Sequence, residues 1–163
     1  MPLYNDKKSG VSKTITITRP ADTAPYTAGD VVGNATSAIL EIPNVGDAGE
    51  EIFITDITHV INAGAVPAGM DGFKLHFYNA TPTAILDNAA FAIESADRTK
   101  YVTEIALSSV TLKGGTVRSV DYQLNQTVTL SSTGSLIFEL ETVGAFTPVS
   151  AQAEYITIHG VKI

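Results

Sequence analysis

Three short stretches of this chain alternate apolar and polar residues with a period of two. Lys13 to Thr18, KTITIT, sets Ile15 and Ile17 against three threonines. Phe73 to Tyr78, FKLHFY, sets Phe73, Leu75 and Phe77 against Lys74, His76 and Tyr78. Leu136 to Glu141, LIFELE, sets Leu136, Phe138 and Leu140 against Ile137, Glu139 and Glu141. Successive side chains of a strand point to opposite faces, so this period predicts strands with one face in a core. The longer run EEIFITDITHVIN is apolar on both parities and predicts a central strand, covered on both sides or bulged near Asp56. Ala38–Ile42, Tyr101–Leu107, Val117–Tyr122, Thr127–Leu130 and Tyr155–Ile163 are further strand candidates.

Turn chemistry separates these runs: Gly29-Asp30, Pro43-Asn44, Gly46-Asp47, Asn62-Ala63-Gly64, Met70-Asp71-Gly72, Gly114-Gly115 and Thr133-Gly134. Helix signals are confined to SADRTKYV, where Ser95 or Asp97 is placed to cap a single turn. The expected fold is therefore all-β: an antiparallel β-sandwich with at most one short helical turn. Jelly roll is preferred over an immunoglobulin-like arrangement, although strand counting cannot separate the two. At 163 residues, with no repeat or linker, one domain is expected. A flexible N-terminal arm over residues 1–12 is expected to precede a sandwich over residues 13–163.

Hydrophobic residues make up 44% of the chain, which is incompatible with a disordered acidic tail. No apolar run approaches the roughly 18 residues of a membrane helix. The start, MPLYNDKKSG, has no apolar segment of the secretory kind, so synthesis and folding in a cytoplasm are expected. With no cysteine, stability must come from packing or from association with neighbours. The net charge of −7 is unevenly placed. Lys7, Lys8, Lys13 and Arg19 against Asp6 leave the first twenty residues at +3, and six basic against sixteen acidic residues leave the rest at −10. Such an acidic body repels nucleic acid and favours solubility, while the basic arm suits an acidic partner.

Tests for chemistry return little. His59, His76 and His159 lie inside strand candidates without a second ligand at a recognised spacing, and surface or interface positions are expected for them. No G-x-S-x-G elbow or phosphate loop is present. The DAGEE cluster, Asp47 with Glu50 and Glu51, lacks the ligand order of an EF-hand and reads as a solvated turn. Among the remaining acids, Asp87, Asp97 and Glu104 included, no pair is singled out for glycoside hydrolysis. The residues alone thus point to a chain with no catalytic centre, no cofactor and no metal.

The stretch TRPADTAPYTAGDVVG, Thr18 to Gly33, carries more information. Pro20 cannot donate to a ladder, so Arg19-Pro20 ends the first strand. An extended linker follows and is expected to put Tyr26 on a surface, either plugging the core edge or laid along a neighbour. The pattern R-P-x-D-T-x-x-Y-x-x-G-D-V-V-G resembles the N-terminal region of capsid decoration (cement) proteins of tailed bacteriophages. LDNAAFAIESADRTKYVTEIAL, Leu86 to Leu107, and LETVGAFTPVSAQAEYITIHGVKI, from Leu140 onward, resemble two later segments of those proteins, in the same order.

That resemblance implies a jelly-roll sandwich, often trimeric, fixed to the outer face of an icosahedral head. It implies the major capsid protein and further copies of the chain as partners, with neither nucleic acid nor membrane. The virion surface is the implied location. The expected partner-contacting residues are Leu3, Tyr4, Lys7 and Lys8 on the arm, with Arg19, Asp22, Tyr26 and Asp30 in the linker. The competing reading is a head or tail fibre module that binds a receptor or carbohydrate, with Tyr4, Tyr26, Tyr78 and Tyr122 stacking on sugars.

Overall fold

A computed structural model of the chain describes residues 9–163. Among the described residues, ten strands and one 3-10 turn follow in order: β1 (Gly10–Thr18), β2 (Val31–Val32), β3 (Leu40–Ile42), β4 (Glu51–Ile61), β5 (Phe73–Tyr78), the turn Ser95–Asp97, β6 (Tyr101–Ala106), β7 (Thr111–Lys113), β8 (Thr116–Thr129), β9 (Leu136–Thr142) and β10 (Ala153–Lys162). One sheet has the order β1-β10-β4-β8-β7, and the other has the order β2-β9-β5-β6 with β3 also on β9. Every pairing is antiparallel.

The pairings are nested. β1 pairs with β10, β2 and β3 with β9, β4 with β8, and β5 with β6. A chain folded as one long hairpin and then rolled into two facing sheets has this connectivity, which is that of a jelly roll rather than an immunoglobulin sandwich. The expected all-β fold is thus observed. β1 opens at Gly10 with Val11 buried, so the sandwich takes in residues earlier than the expected boundary at 13. Residues 1–8 of the expected arm lie outside the described residues.

The inner faces follow the period-two reading. Phe73, Leu75 and Phe77 of β5 meet Phe138 and Leu140 of β9, and the other sheet adds Ile52, Ile54, Ile57, Ile61, Ile156 and Ile158. Each ring or branched chain so buried stabilises by about 1.5–3 kcal/mol before entropy is counted. The both-parity strand is β4, central in its sheet, and its register shifts between Ile54 and Asp56. Opposite that shift, Gln123 and Asn125 adopt positive φ within β8. The polar residues at this kink made one long strand read as two.

The outer face of the β2-β9-β5-β6 sheet is covered. Tyr78, His76, Ile137, Glu139 and Val31 are buried, yet Val31, Tyr78 and Ile137 lie outside the main core cluster. The 79–100 connection lies over them. Phe91 stacks on His76 with ring centroids 3.8 Å apart, and backbone bonds run from Val31 N to Ala89 O and from Phe91 N to Gly29 O. These bonds also occupy part of the open edge of β2, which would otherwise offer unpaired groups to another strand.

The 3-10 turn has Glu94 at its N-cap position without a side-chain cap bond, so Ser95 does not play the expected capping role. Asp97 instead ties the connection to itself. Its carboxylate accepts from Thr83 N and from Lys100 Nζ, each at 2.8 Å, and the Lys100 bond leads in holding its pKa down at about 2.

Glu139 sits beneath this connection and accepts from the Tyr78 hydroxyl at 2.9 Å. Burial outweighs that bond and raises its pKa from 4.5 to about 7. The fold therefore binds this proton more tightly than the unfolded chain does. The resulting stabilisation is complete below about pH 4.5 and is lost as pH rises through about 7. His76, lowered mainly by burial, has the opposite slope below its ordinary value, so the wild type alone cannot separate the two. We expect Glu139→Gln to gain melting temperature relative to the wild type between about pH 5 and pH 8. A pH-independent difference between the two proteins would refute this account.

Candidate functional site

The three segments of the resemblance, far apart in sequence, converge at one end of the sandwich. Tyr26 forms an isolated bridge with Phe146, and Asp30 forms another with Ala90. Gly29 N donates to Thr142 O, and Thr142 N donates to Asp30 O. Arg19 N donates to Gln152 O, and Ala151 N donates to Pro20 O. The linker 19–33 is thus held between the closing strands and the 79–100 connection.

Side chains lock it further, and Asp87 is the hub. Its Oδ1 accepts from the Tyr26 hydroxyl at 2.7 Å and from Gly33 N at 2.8 Å, and its Oδ2 accepts from Arg19 Nη2 at 3.2 Å. Arg19 Nε donates to the Tyr26 hydroxyl, and the guanidinium carbon lies 4.5 Å from the ring centroid. Burial first, then the bond to Asp87, raises the Tyr26 pKa far above its ordinary value, so the hydroxyl stays protonated and donates. The amide of Asn88, oriented by its surroundings, donates to Pro25 O at 3.0 Å and to Asp30 Oδ2 at 3.2 Å. The same Asp30 oxygen accepts from Thr27 N at 2.6 Å and from Thr27 Oγ1 at 2.9 Å.

Two glycines make the path possible. Gly29 has φ +91° inside the turn that Asp30 N closes onto Thr27 O, a conformation that residues with a Cβ rarely adopt. A Cβ on Gly33 would fall 2.4 Å from the Cα of Ala38, where only backbone would have to move.

Arg19, Tyr26 and Asp30 therefore turn inward, being 1%, 1% and 6% exposed. The expectation that the linker puts Tyr26 on a surface is corrected. The tyrosine plugs the edge of the core because its hydroxyl has two partners waiting there, and its ring packs on Phe146 at 5.1 Å. Asp22 is exposed, and Leu3, Tyr4, Lys7 and Lys8 lie outside the described residues.

Above the lock lies an open cleft of about 320 Å³. Pro20, Asp22 and Ala24 form one wall, Asn34 to Ser37 the second, and Leu86 to Asn88 the third. Leu86 stands at its side with 73% of its surface exposed, which is unusual for a leucine between two packed segments. The Asp87 carboxylate is already engaged by three donors, so the arrangement offers shape, the Asp22 carboxylate and one apolar contact.

Two of the three histidines expected at surface or interface positions, His59 and His76, are buried, whereas His159 is half-buried. His59 is fully buried, not superficial, with Nε2 2.8 Å from Glu154 Oε2, and its ring meets Phe73 edge-on at 4.7 Å. His59 Nδ1 and Glu154 Oε1 have no partner among the described residues. His76 lies 2.6 Å from Glu141 Oε2 through Nε2 and 3.2 Å from the Tyr101 hydroxyl through Nδ1. Sequence reading left these groups ungrouped because both pairs form across strands distant in sequence. The apolar company of His59 on its own parity, Ile57 and Ile61, was the available signal. Of the tyrosines proposed to stack on sugars, Tyr26 and Tyr78 are buried and Tyr122 is exposed. Among the described residues, no group of three or more metal-ligating side chains occurs. Among the described residues, no helix is long and apolar enough to cross a membrane.

Removing the hub should be costly. Asp87→Ala leaves the buried Arg19 guanidinium only the exposed Asp22 carboxylate, at 3.8 Å, and is expected to destabilise the fold by about 3 kcal/mol. Tyr26→Phe, which removes a hydroxyl bonded to both the guanidinium and the carboxylate, should cost about 1.5–3 kcal/mol. Urea denaturation of the two variants checks both figures, and an Asp87→Ala protein as stable as the wild type would refute the lock.

No family model and no curated protein matches the chain. Several solved structures align with it at low identity. A capsid structure of Ralstonia phage GP4 is 13% identical with a TM-score of 0.48, covering 99% of this chain and 90% of that chain. The Drosophila NLP core, described for pentamer formation and histone binding, is 12% identical with a TM-score of 0.36, covering 94% and 98%. The human polyomavirus 7 VP1 pentamer is 9% identical with a TM-score of 0.33, covering 100% and 98%. The jelly-roll assignment rests on the nested strand order and is independent of these likenesses.

Proposed function

We propose that this chain is a structural protein of a tailed-bacteriophage virion, a decoration or cement protein that binds the outer surface of the head and holds neighbouring major capsid subunits together. One observation carries the reading. The three segments that resemble such proteins, spread from residue 19 to the end of the described chain, interlock through Asp87, Asn88, Tyr26 and Thr142. Residues that match by chance have no reason to be one another's partners, whereas residues inherited with a common rim do.

The mechanism is multiplicity rather than chemistry. A homo-oligomer, expected to be a trimer, engages several capsid subunits at once, so modest contacts add into slow release. Each copy has two places from which to reach. Asp22 and Leu86 present themselves beside the cleft, backed by Arg19, Tyr26 and Asp30, which fix the shape of the linker from within. The basic arm with Leu3, Tyr4, Lys7 and Lys8 precedes β1 in sequence. That strand is nine residues long, so its own two ends lie about 30 Å apart. Contacts at both ends let one copy span a junction.

Heads assembled without this protein should lose DNA on heating at lower temperatures than complete heads, as followed by release of a dye-accessible genome. Equal robustness counts against the role. Deleting Pro2 to Lys8 should weaken binding to empty shells while leaving the melting temperature of the free protein unchanged. Full binding by the truncated chain would remove the arm from the mechanism.

A further inference from the structure

The strands that end the two sheets are not equally open. β7 has three residues, and β6 has six beside a register shift at Phe77/Tyr78. β2 is partly taken up by the 79–100 connection, through Val31 N to Ala89 O and Asn88 N to Val31 O. β1 runs for nine residues without a proline and keeps one register against β10 from Gly10 to Thr18.

Its ladder shows which backbone groups face outward. Arg19 N donates to Gln152 O and Lys162 N donates to Ser9 O, so the odd-numbered residues of β1 bond to β10. The N–H and C=O groups of Ser12, Thr14 and Thr16 therefore point the other way, where no strand pairs with them among the described residues. Thr18 N also points that way, but it already donates to Asn34 Oδ1 at 2.8 Å. Ser12, Thr14 and Thr16 are exposed. Alternating donors and acceptors along an extended line match one kind of partner, another extended backbone. Sheets elsewhere blunt such an edge with prolines, bulges or several charges, whereas Lys13 is the only guard on β1.

The residues of the edge select which backbone. Antiparallel pairing with β1 of a second copy, about a two-fold axis at Thr14, sets Thr14 against Thr14 and Ser12 against Thr16, each pair exchanging two backbone bonds. On the inner face, Lys13 then lies opposite Ile15 and Val11 opposite Ile17. An axis at Lys13 would put like charges face to face. An axis at Ile15 would set Ser12 against Thr18, whose N–H Asn34 already holds. The Thr14 axis pairs the whole open edge without repulsion. Thr14 also shares a hydroxyl bond with Thr157 at 2.9 Å, so the second Thr14 extends an existing threonine row. No acid lies on β1 to add to the repulsion between two acidic bodies.

We infer that the open edge of β1 docks a second copy of this chain, the two strands pairing antiparallel about Thr14 so that two five-stranded sheets become one. The contact is isologous and joins copies in pairs. It does not rest on the capsid reading, whose trimer needs a different surface.

Sedimentation of the full chain from micromolar to millimolar concentration tests the contact. Reversible pairing is expected, with the amides of Ser12, Thr14 and Thr16 gaining protection from hydrogen exchange as concentration rises. Thr14→Pro removes an outward N–H, which an edge strand tolerates, so it should weaken pairing about tenfold or more and leave the monomer folded. If the copies are also trimeric, this variant should remove only the doubling of the trimer. The chain has no cysteine, so single replacements report the register without background. Thr14→Cys should form a disulfide-linked dimer under mild oxidation, because paired Cα atoms lie about 5.5 Å apart. Ser12→Cys should crosslink readily to Thr16→Cys in a mixture but poorly to itself, since the axis leaves those two positions about 13 Å apart. Absence of pairing at millimolar concentration, pairing undiminished in Thr14→Pro, or self-crosslinking of Ser12→Cys as fast as the mixture would overturn the inference. So would protection of the three amides that is independent of concentration and lost on deleting Pro2 to Lys8, which would assign the edge to the chain's own arm.

Discussion

One part-buried carboxylate organises the end of this sandwich. Strand pairing alone leaves the linker after β1, the long connection after β5 and the turn before β10 as three separate loops. Asp87 joins the first two, and Tyr26, held by Asp87, packs on Phe146 of the third. A carboxylate can do this because it accepts several bonds at once, and removing it from water is tolerable only with donors such as the Arg19 guanidinium in place. The geometry of the neighbouring cleft follows from that hub, since two of its three walls are the segments that Asp87 links.

Coverage of the sandwich is correspondingly asymmetric. The β2-β9-β5-β6 sheet is covered on both sides along β9 and most of β5, with a second layer in which Phe91, Tyr78 and Ile137 pack around polar residues. The other sheet turns a threonine-rich outer face to solvent, where Thr14 and Thr157 share a hydrogen bond at 2.9 Å across β1 and β10. Antiparallel sheets tolerate such one-sided exposure, because polar β-branched residues both favour the strand and satisfy themselves with water. The pair His59–Glu154 sits inside the main core, where an apolar pair of similar volume would serve stability at least as well.

Much of the fold was legible because burial on one face imposes a period of two. FKLHFY gave a strand with its observed bounds, and LIFELE and KTITIT missed theirs by a few residues. Legibility failed where period two does not operate. β2 and β7 are two and three residues long, too short to show any alternation. His76, Tyr78 and Glu139 read as solvent-facing because polar residues alternated with apolar ones, and nothing local announces that an aperiodic connection will lie over them. The linker residues Arg19, Tyr26 and Asp30 are polar or amphipathic, so they read as surface. Their partners lie up to 68 residues away or on another segment, and only the folded chain brings them together.

The nested pairing has a geometric corollary. Gly10 lies opposite Val161 in adjacent strands, so the polypeptide enters and leaves the sandwich side by side. Both positions lie at the pole of β1 remote from Arg19 and the Asp87 rim, so a label or affinity handle joined at either would be attached a strand's length, about 30 Å, from the cleft.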